Sequence, residues 1–179
     1  MAPFIKTLTF TLREMMKKII ILSLLLLTQQ AFGKGLADYS LAYDPARDAS
    51  VDFKQAVFDA KNSRKLVLLE FGGDWCVWCH RLDAFIAKNP TIEKELNEVF
   101  VLLRINVSEE NSNEEFLSTL PKIKGYPHFF IANGSGEIVG AQDTSKLESE
   151  KTYSPKAFTE FIEKWRKKLE DQKLDDVEK

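Results

Sequence analysis

The chain has 179 residues, of which 44% are hydrophobic and 29% are charged, and these proportions suit a single globular domain with one buried core. The formal net charge is −2; without residues 1–33 the chain keeps 21 basic and 26 acidic residues, or about −5. This acidic balance argues against a nucleic-acid partner.

The N-terminus has the pattern of a secretory signal peptide. Lys17-Lys18 precede the apolar residues 19–27, and Ala31-Phe32-Gly33 provides the small residues of a cleavage site. A membrane-spanning helix needs about 20 apolar residues, so this run is too short. We therefore expect residues 1–33 to be a signal peptide cleaved after Gly33, which predicts the periplasm as the location. An uncleaved membrane anchor is the alternative.

Residues 34–71 begin the predicted domain. Residues 34–50 lack periodicity, so we expect a mobile lead-in segment. A helix should run from Ser50, as its N-cap, to Ser63, because apolar residues recur there at helical spacing. The apolar run 66–71 is too short and too uniform for anything but a strand buried on both faces.

The remaining elements follow from the same patterns. Cys79, Leu82, Phe85 and Ile86 predict a helix that begins at or near Cys76. After it we expect a restart of the helix at Asn89-Pro90, a parallel strand at 100–107 and a short helix at 114–120. A hairpin should follow, with strands at 128–132 and 137–141. Ser154 should cap the last helix, which carries the apolar stripe Phe158, Phe161, Ile162, Trp165 and Leu169.

This order of elements predicts an α/β fold with a central mixed sheet flanked by helices. We place the domain at residues 51–169 and expect residues 170–179 to be a charged, flexible tail.

The chain has two cysteines, Cys76 and Cys79, and they point to chemistry. A disulfide across so short a loop constrains little of the unfolded chain, so a structural role is the weaker explanation. A helix that begins at Cys76 directs free N–H groups and its positive dipole end at that sulfur, which favours the thiolate. We predict an exposed, nucleophilic Cys76 and a sheltered Cys79 that resolves the mixed disulfide.

The segment Glu70-Phe71-Gly72-Gly73-Asp74-Trp75-Cys76-Val77-Trp78-Cys79, with Gly125-Tyr126-Pro127 downstream, resembles the active centre of thioredoxin-like proteins. It is most similar to exported members, including the C-terminal domain of membrane thiol:disulfide interchange reductases. The resemblance implies a thioredoxin fold and a thiol:disulfide oxidoreductase of the reductase or isomerase type. The resemblance implies no cofactor other than the redox-active cysteine pair.

The resemblance also implies residue roles. Cys76 matches the nucleophile, Cys79 the resolving thiol, and Trp75 a packing wall beside them. Glu70 matches a buried carboxylate that exchanges the proton of the resolving cysteine, and burial in an apolar strand should raise its pKa. The alternative is a Glu70 that reaches solvent at the strand end.

Pro127 matches the cis-proline of the family, which leaves backbone groups of Tyr126 free to pair with a bound peptide. If Pro127 is trans instead, it is an ordinary strand-entry proline. Val77-Trp78 matches neither the dipeptide of typical reductants nor that of strong oxidants, so the direction of electron flow stays open. The implied partners are exported proteins with thiols or disulfides, with a membrane thiol:disulfide reductase as a candidate electron donor.

Three other interpretations of the motif remain. Cys76-Val77-Trp78-Cys79-His80 has the spacing of a c-type haem attachment site, although residues 34–179 contain no methionine as an axial ligand. A zinc site would need the two cysteines with His80 and His128, which is an awkward tetrahedron. Val77, Trp78 and Tyr126 could instead form the apolar groove of a peptide-binding module without redox turnover.

Overall fold

The computed structural model describes residues 37–177, and their side chains as far as residue 171. The predicted signal peptide therefore lies outside the described residues. In chain order the elements are α1 (Asp38–Leu41), α2 (Ala49–Ser63), β1 (Leu66–Gly72), α3 (Val77–Lys88), α4 (Pro90–Val99), β2 (Phe100–Asn106), α5 (Glu114–Ser118), β3 (His128–Ala132), β4 (Ile138–Asp143), a 3₁₀ turn (Thr144–Leu147), β5 (Glu148–Ser149), β6 (Thr152–Tyr153) and α6 (Pro155–Val177).

The main sheet has four strands in the order β2-β1-β3-β4. Strands β1 and β2 are parallel, with Leu66 opposite Phe100, and α3 and α4 form the crossover between them. Strand β3 is antiparallel to both β1 and β4. The prediction of a mixed sheet flanked by helices is confirmed, and β1 lies at the centre of it.

The uniform apolar character of β1 reflects its burial on two faces. Leu66 and Leu68 point into a core cluster that includes residues of α3, α4 and α6. Val67 and Leu69 point to the other face, into a cluster with residues of α2 and α5. Because successive strand side chains alternate between faces, a strand covered by helices on both sides has no polar position until its end.

The last helix also follows its sequence pattern. Ser154 caps it, with Oγ accepting from the backbone N–H of Ala157 at 3.3 Å, and the five residues of the predicted apolar stripe are all buried. The helix continues to Val177, past the predicted end of the domain at residue 169, and the flexibility of residues 170–179 stays a prediction. Among residues 37–177, no helix is both long enough and apolar enough to cross a bilayer.

The expectation of a mobile lead-in at residues 34–50 is wrong for the part that the structure describes. Residues 38–41 form a helical turn, and Tyr39 and Tyr43 are buried in the domain. Helix α2 begins one residue before Ser50, because the carboxylate of Asp48 accepts the backbone N–H groups of Ser50 and Val51 and acts as the N-cap.

Candidate active site

The two cysteines lie at the point where β1 passes into α3. Cys76 is the N-cap of α3, and Cys79 lies in its first turn, as the helical spacing predicts. The two residues form a disulfide with their Cα atoms 5.2 Å apart. Gly72 lies directly beside this bond, since a Cβ atom added there would be 2.5 Å from the sulfur of Cys79. The strand can therefore approach the cysteine pair only with a glycine at this position.

The environment of the Cys76 sulfur favours negative charge. Its Sγ atom accepts the backbone N–H of Cys79 at 3.2 Å, so the sulfur acts as the capping group of the helix. A helix N-terminus carries unsatisfied N–H groups and the positive end of the dipole. A thiolate on Cys76, formed when the disulfide is reduced, would lie beside these groups and be stabilised by them.

The predicted exposure of Cys76 is wrong for this disulfide form. Cys76 is 3% exposed and Cys79 is fully buried. Tyr43 packs with both cysteines in one cluster, and Trp78 and Tyr126 cover that cluster. The cover comes from segments distant in sequence, so helix periodicity did not reveal it.

An apolar rim lies around the buried disulfide. Trp75 is 55% exposed and Val77 is 61% exposed. The indole N–H of Trp75 donates to the carbonyl oxygen of Val107 at 2.6 Å, and its ring meets Tyr126 edge to face at 5.5 Å. Of the predicted surface residues, Trp75 and Tyr126 are therefore in contact, and Val77 is exposed next to Cys76.

Trp78 has a different environment from the rim. Its ring packs edge to face against Tyr153 at 5.7 Å between centroids, and the guanidinium of Arg81 lies 4.4 Å above it. Trp78 is half-buried and joins the cysteine cluster to the core under α6. It packs mainly inside the domain and contributes less to the exposed surface than we expected.

The Tyr126–Pro127 peptide bond is cis, as the resemblance implied. The carbonyl oxygen of Pro127 accepts the hydroxyl of Thr144 at 2.5 Å, and Thr144 is buried. Strand β3 begins at the next residue, His128, opposite Phe71 at the end of β1. This register brings the loop beside the cysteines and holds Tyr126 against them.

Glu70 is 1% exposed, so the expectation of a buried carboxylate is confirmed and the solvent-reaching alternative is wrong. Burial raises the pKa of Glu70. The positive charge of Arg104, whose Nε lies 3.8 Å from Glu70 Oε2, and a hydrogen bond from Tyr43 lower it in part, and the net direction is upward. A buried carboxyl group with a raised pKa can exchange a proton with a neighbouring acid or base.

Sequence reasoning missed three residues around Glu70. The hydroxyl of Tyr43 donates to Glu70 Oε1, and Arg104 forms an ion pair with Asp83 on α3. Arg104 lies directly opposite Glu70 in the parallel register of β1 and β2. A charged residue in each of two apolar strands was a signal that could have identified Arg104, but no local pattern pointed to Tyr43.

The two histidines named as candidate ligands make their contacts with groups other than the disulfide. His80 is exposed, and its Nε2 is 2.7 Å from the carbonyl oxygen of Asp74. His128 is half-buried against Phe130, with ring centroids 4.8 Å apart, and burial lowers its pKa. In the part of the chain that the structure describes, no three His, Cys, Asp or Glu side chains are grouped as metal ligands would be.

Comparisons with known proteins agree with this geometry. The family model described as thioredoxin-like matches residues 48–134. The thiol:disulfide interchange protein DsbD of Salmonella typhimurium is 30% identical over 108 residues, which cover 60% of this chain and 18% of that protein. The same protein of Photorhabdus laumondii is 24% identical over 102 residues, 54% of this chain and 18% of its own length. The chain thus spans about a fifth of these relatives.

A solved structure matches this fold over almost the whole length of the solved chain. The disulphide isomerase of Xylella fastidiosa Temecula1 superposes with a TM-score of 0.59 and 26% sequence identity, covering 68% of this chain and 94% of that one.

Proposed function

Because residues 48–134 belong to the thioredoxin-like family, we propose that the chain is a thiol:disulfide oxidoreductase of the reductase or isomerase type. The observation that carries the proposal is the cysteine pair at the start of α3. There the sulfur of Cys76 caps the helix, and Cys79 lies one turn further on within bonding distance. This arrangement favours an ionised attacking sulfur and a second sulfur that can displace it.

In the proposed reaction, reduced Cys76 attacks a disulfide of the partner protein as a thiolate. A Cys76–partner disulfide forms, and the other partner sulfur leaves as a thiolate. Cys79 then loses its proton, with Glu70 as the acceptor, and attacks the sulfur of Cys76. The Cys76–partner bond breaks, the partner leaves reduced, and the chain is oxidised to the Cys76–Cys79 disulfide. The redox-active pair is the only cofactor proposed.

The proposed binding surface for the partner is the apolar rim, formed by Trp75, Val77 and Tyr126. Two of these side chains are more than half exposed, and exposed apolar groups around a reactive centre are typical of interaction sites. Backbone groups of Tyr126, beside the cis-proline, would pair with an extended segment of the partner. Since the disulfide is covered, we infer that Tyr126 moves when a partner binds.

We propose a periplasmic location and exported proteins as partners. The signal-like pattern at residues 1–33 supports export, and the curated relatives are named as interchange proteins for thiols and disulfides. Reduction or isomerisation in an oxidising space needs an electron source, and a membrane thiol:disulfide reductase would supply it.

The test is insulin reduction with dithiothreitol as electron donor. The wild-type chain should accelerate precipitation of the insulin B chain, and Cys76→Ser should lose this activity completely. Cys79→Ser should instead accumulate a mixed disulfide through Cys76, visible by mass under non-reducing conditions. If Cys76→Ser still binds peptide and the wild type shows no turnover, the chain is a binding module. A Soret band in the purified protein would support the haem alternative.

The direction of electron flow follows from the redox potential of the pair. Equilibration with glutathione should place it near the thioredoxin value of about −270 mV if the chain is a reductant. A value near about −120 mV, typical of strong oxidants, would contradict the reductase assignment.

A further inference from the structure

Tyr43 connects the start of the described chain with the reactive centre. It precedes residues 48–134, which match the family, and it is 5% exposed. Its hydroxyl donates to Glu70 Oε1, and its side chain packs in one cluster with Cys76 and Cys79. Tyr43 therefore contacts both the buried carboxyl group and the cysteine pair.

Gly72 shows how close the phenol is to the resolving sulfur. A Cβ atom at Gly72 would lie 2.5 Å from Cys79 Sγ and 2.9 Å from the hydroxyl oxygen of Tyr43. Both reactive atoms thus border the same small space, with no side chain of residue 72 between them. A hydroxyl group can donate one hydrogen bond and accept others, so the Tyr43 oxygen can accept a proton from a thiol while it donates to Glu70.

The charged groups around Tyr43 come from three elements. Glu70 lies on β1, Arg104 on β2 and Asp83 on α3, while Tyr126 adds a second phenol at the cysteine cluster. The guanidinium of Arg104 is 5.6 Å from the centroid of the Tyr43 ring and holds Glu70 at 3.8 Å. Burial and the neighbouring carboxylate raise the pKa of Tyr43 well above its usual value, so the phenol remains protonated.

We propose that Tyr43 relays the proton of the resolving cysteine to Glu70, which rests on the oxidoreductase function proposed above. Cys79 transfers its proton to the oxygen of Tyr43 as the phenol passes its own proton to Glu70 Oε1. The Cys79 thiolate then attacks Cys76 and releases the partner as a thiolate. Tyr43 ends neutral, Glu70 ends protonated, and the electron pair of Cys79 forms the new sulfur–sulfur bond.

The test separates the two steps of a single turnover in the reduced full-length chain, with glutathione disulfide as the probe. Acid quenching and mass spectrometry measure the Cys76–glutathione mixed disulfide and its decay. Tyr43→Phe should form the mixed disulfide at the wild-type rate and resolve it about tenfold more slowly at pH 7, consistent with loss of acid–base assistance. This deficit should shrink as the pH rises, because hydroxide can then take the proton of Cys79 directly.

Tyr39→Phe is the matched control. Tyr39 is buried in the same segment, and its hydroxyl donates to Asp59 Oδ2 at 2.7 Å. It packs in a core cluster that does not include the cysteines. It should leave both steps unchanged. Equal resolution rates in Tyr43→Phe and Tyr39→Phe at pH 7 would overturn the relay.

Glu70→Gln keeps the proposal testable if Tyr43→Phe folds poorly. It removes the last proton acceptor of the relay, so it should slow resolution and leave formation of the mixed disulfide unchanged, with the same recovery at high pH. Glu70→Gln combined with Tyr43→Phe should be no slower than either alone, since both interrupt one path. Normal resolution in Glu70→Gln, or additive slowing in the double variant, contradicts the relay. A wild-type chain that forms no mixed disulfide overturns the oxidoreductase function itself.

Discussion

The two halves of strand β1 differ in what they contribute to the molecule. Residues 66–69 are entirely apolar, and their side chains fill the cores on the two faces of the sheet. Residues 70–72 include the buried carboxylate of Glu70 and end at Gly72, and the chain then passes through Gly73 into the cysteine motif. One strand thus supplies stability at its first half and reactivity at its second half. Substitutions in the two halves should therefore separate folding from redox function.

The largest effect on stability is expected in the apolar half. Leu69 is fully buried, opposite Leu103 on β2 and Phe130 on β3. Leu69→Ala should lower the free energy of unfolding by about 3 kcal/mol, because it removes buried methyl groups and leaves a cavity. Urea unfolding measures this change, and the glutathione equilibrium of the cysteine pair should stay at the wild-type value. A shifted redox equilibrium would show that the two halves are coupled.

A smaller, pH-dependent loss of stability is expected from Arg104→Met on β2, opposite Glu70 in the reactive half of β1. This variant leaves the buried Glu70 without its cation and raises the pKa of Glu70 further. Because a charged, unpaired carboxylate is costly to bury, the loss should be about 2 kcal/mol at pH 8. At pH 5 a larger fraction of Glu70 is protonated than at pH 8, so the loss should shrink. Urea unfolding at both values tests this, and an equal loss at both would show that the charge of Glu70 is not involved.

The free energy of unfolding of Glu70→Gln, relative to that of the wild type, should rise with pH. The folded pKa of Glu70 lies above its usual value of 4.5, so above that pH the native state holds a proton that the unfolded state has released. Wild-type stability therefore falls with rising pH until the folded pKa is passed. The variant lacks this loss, so its free energy of unfolding relative to the wild type should rise between pH 5 and pH 7. A constant difference in urea unfolding across this range would contradict the raised pKa.

The same contrast explains which parts of the structure the sequence predicted. The strand at Leu66–Gly72 and the last helix were predicted because their burial follows from local periodicity. The start of α3 at Cys76 was predicted from the same periodicity. The cis-proline and the buried Glu70 were predicted from the resemblance to the family motif. The antiparallel pair β5–β6, which includes the buried Tyr153, was missed because its two-residue strands are too short for any alternation.

The rest of the site depends on contacts between distant residues. Tyr43 lies 27 residues before its partner Glu70, and Tyr126 covers a disulfide formed 50 residues earlier in the chain. No spacing rule connects such residues, so the lead-in was mistaken for a mobile segment and Cys76 for an exposed one. The opposition of Glu70 and Arg104 was accessible in principle, because the predicted parallel pairing of the two strands needed only the correct register.

The smallest effect is expected from Asp83→Asn, at the outer end of the charge chain from Glu70 through Arg104. Asp83 is 36% exposed, so its ion pair with Arg104 should contribute less than about 1 kcal/mol to stability. The substitution should also change the pKa of Glu70 in a definite direction. The negative charge of Asp83 raises the pKa of Glu70, and its ion pair also draws the guanidinium toward α3.

Both effects disappear in Asp83→Asn, so the pKa of Glu70 should fall and the pH midpoint of the resolving step should move to lower pH. Single-turnover resolution of the glutathione mixed disulfide between pH 5 and pH 9 measures that midpoint. Asp59→Asn makes the same change in net charge on α2, away from Glu70, and should leave the midpoint unchanged. A midpoint that moves upward in Asp83→Asn, or equally in both variants, would mean that Glu70 does not set the pH dependence of this step. The acid–base role would then have to be assigned to a different group in the reactive half of β1 or around it.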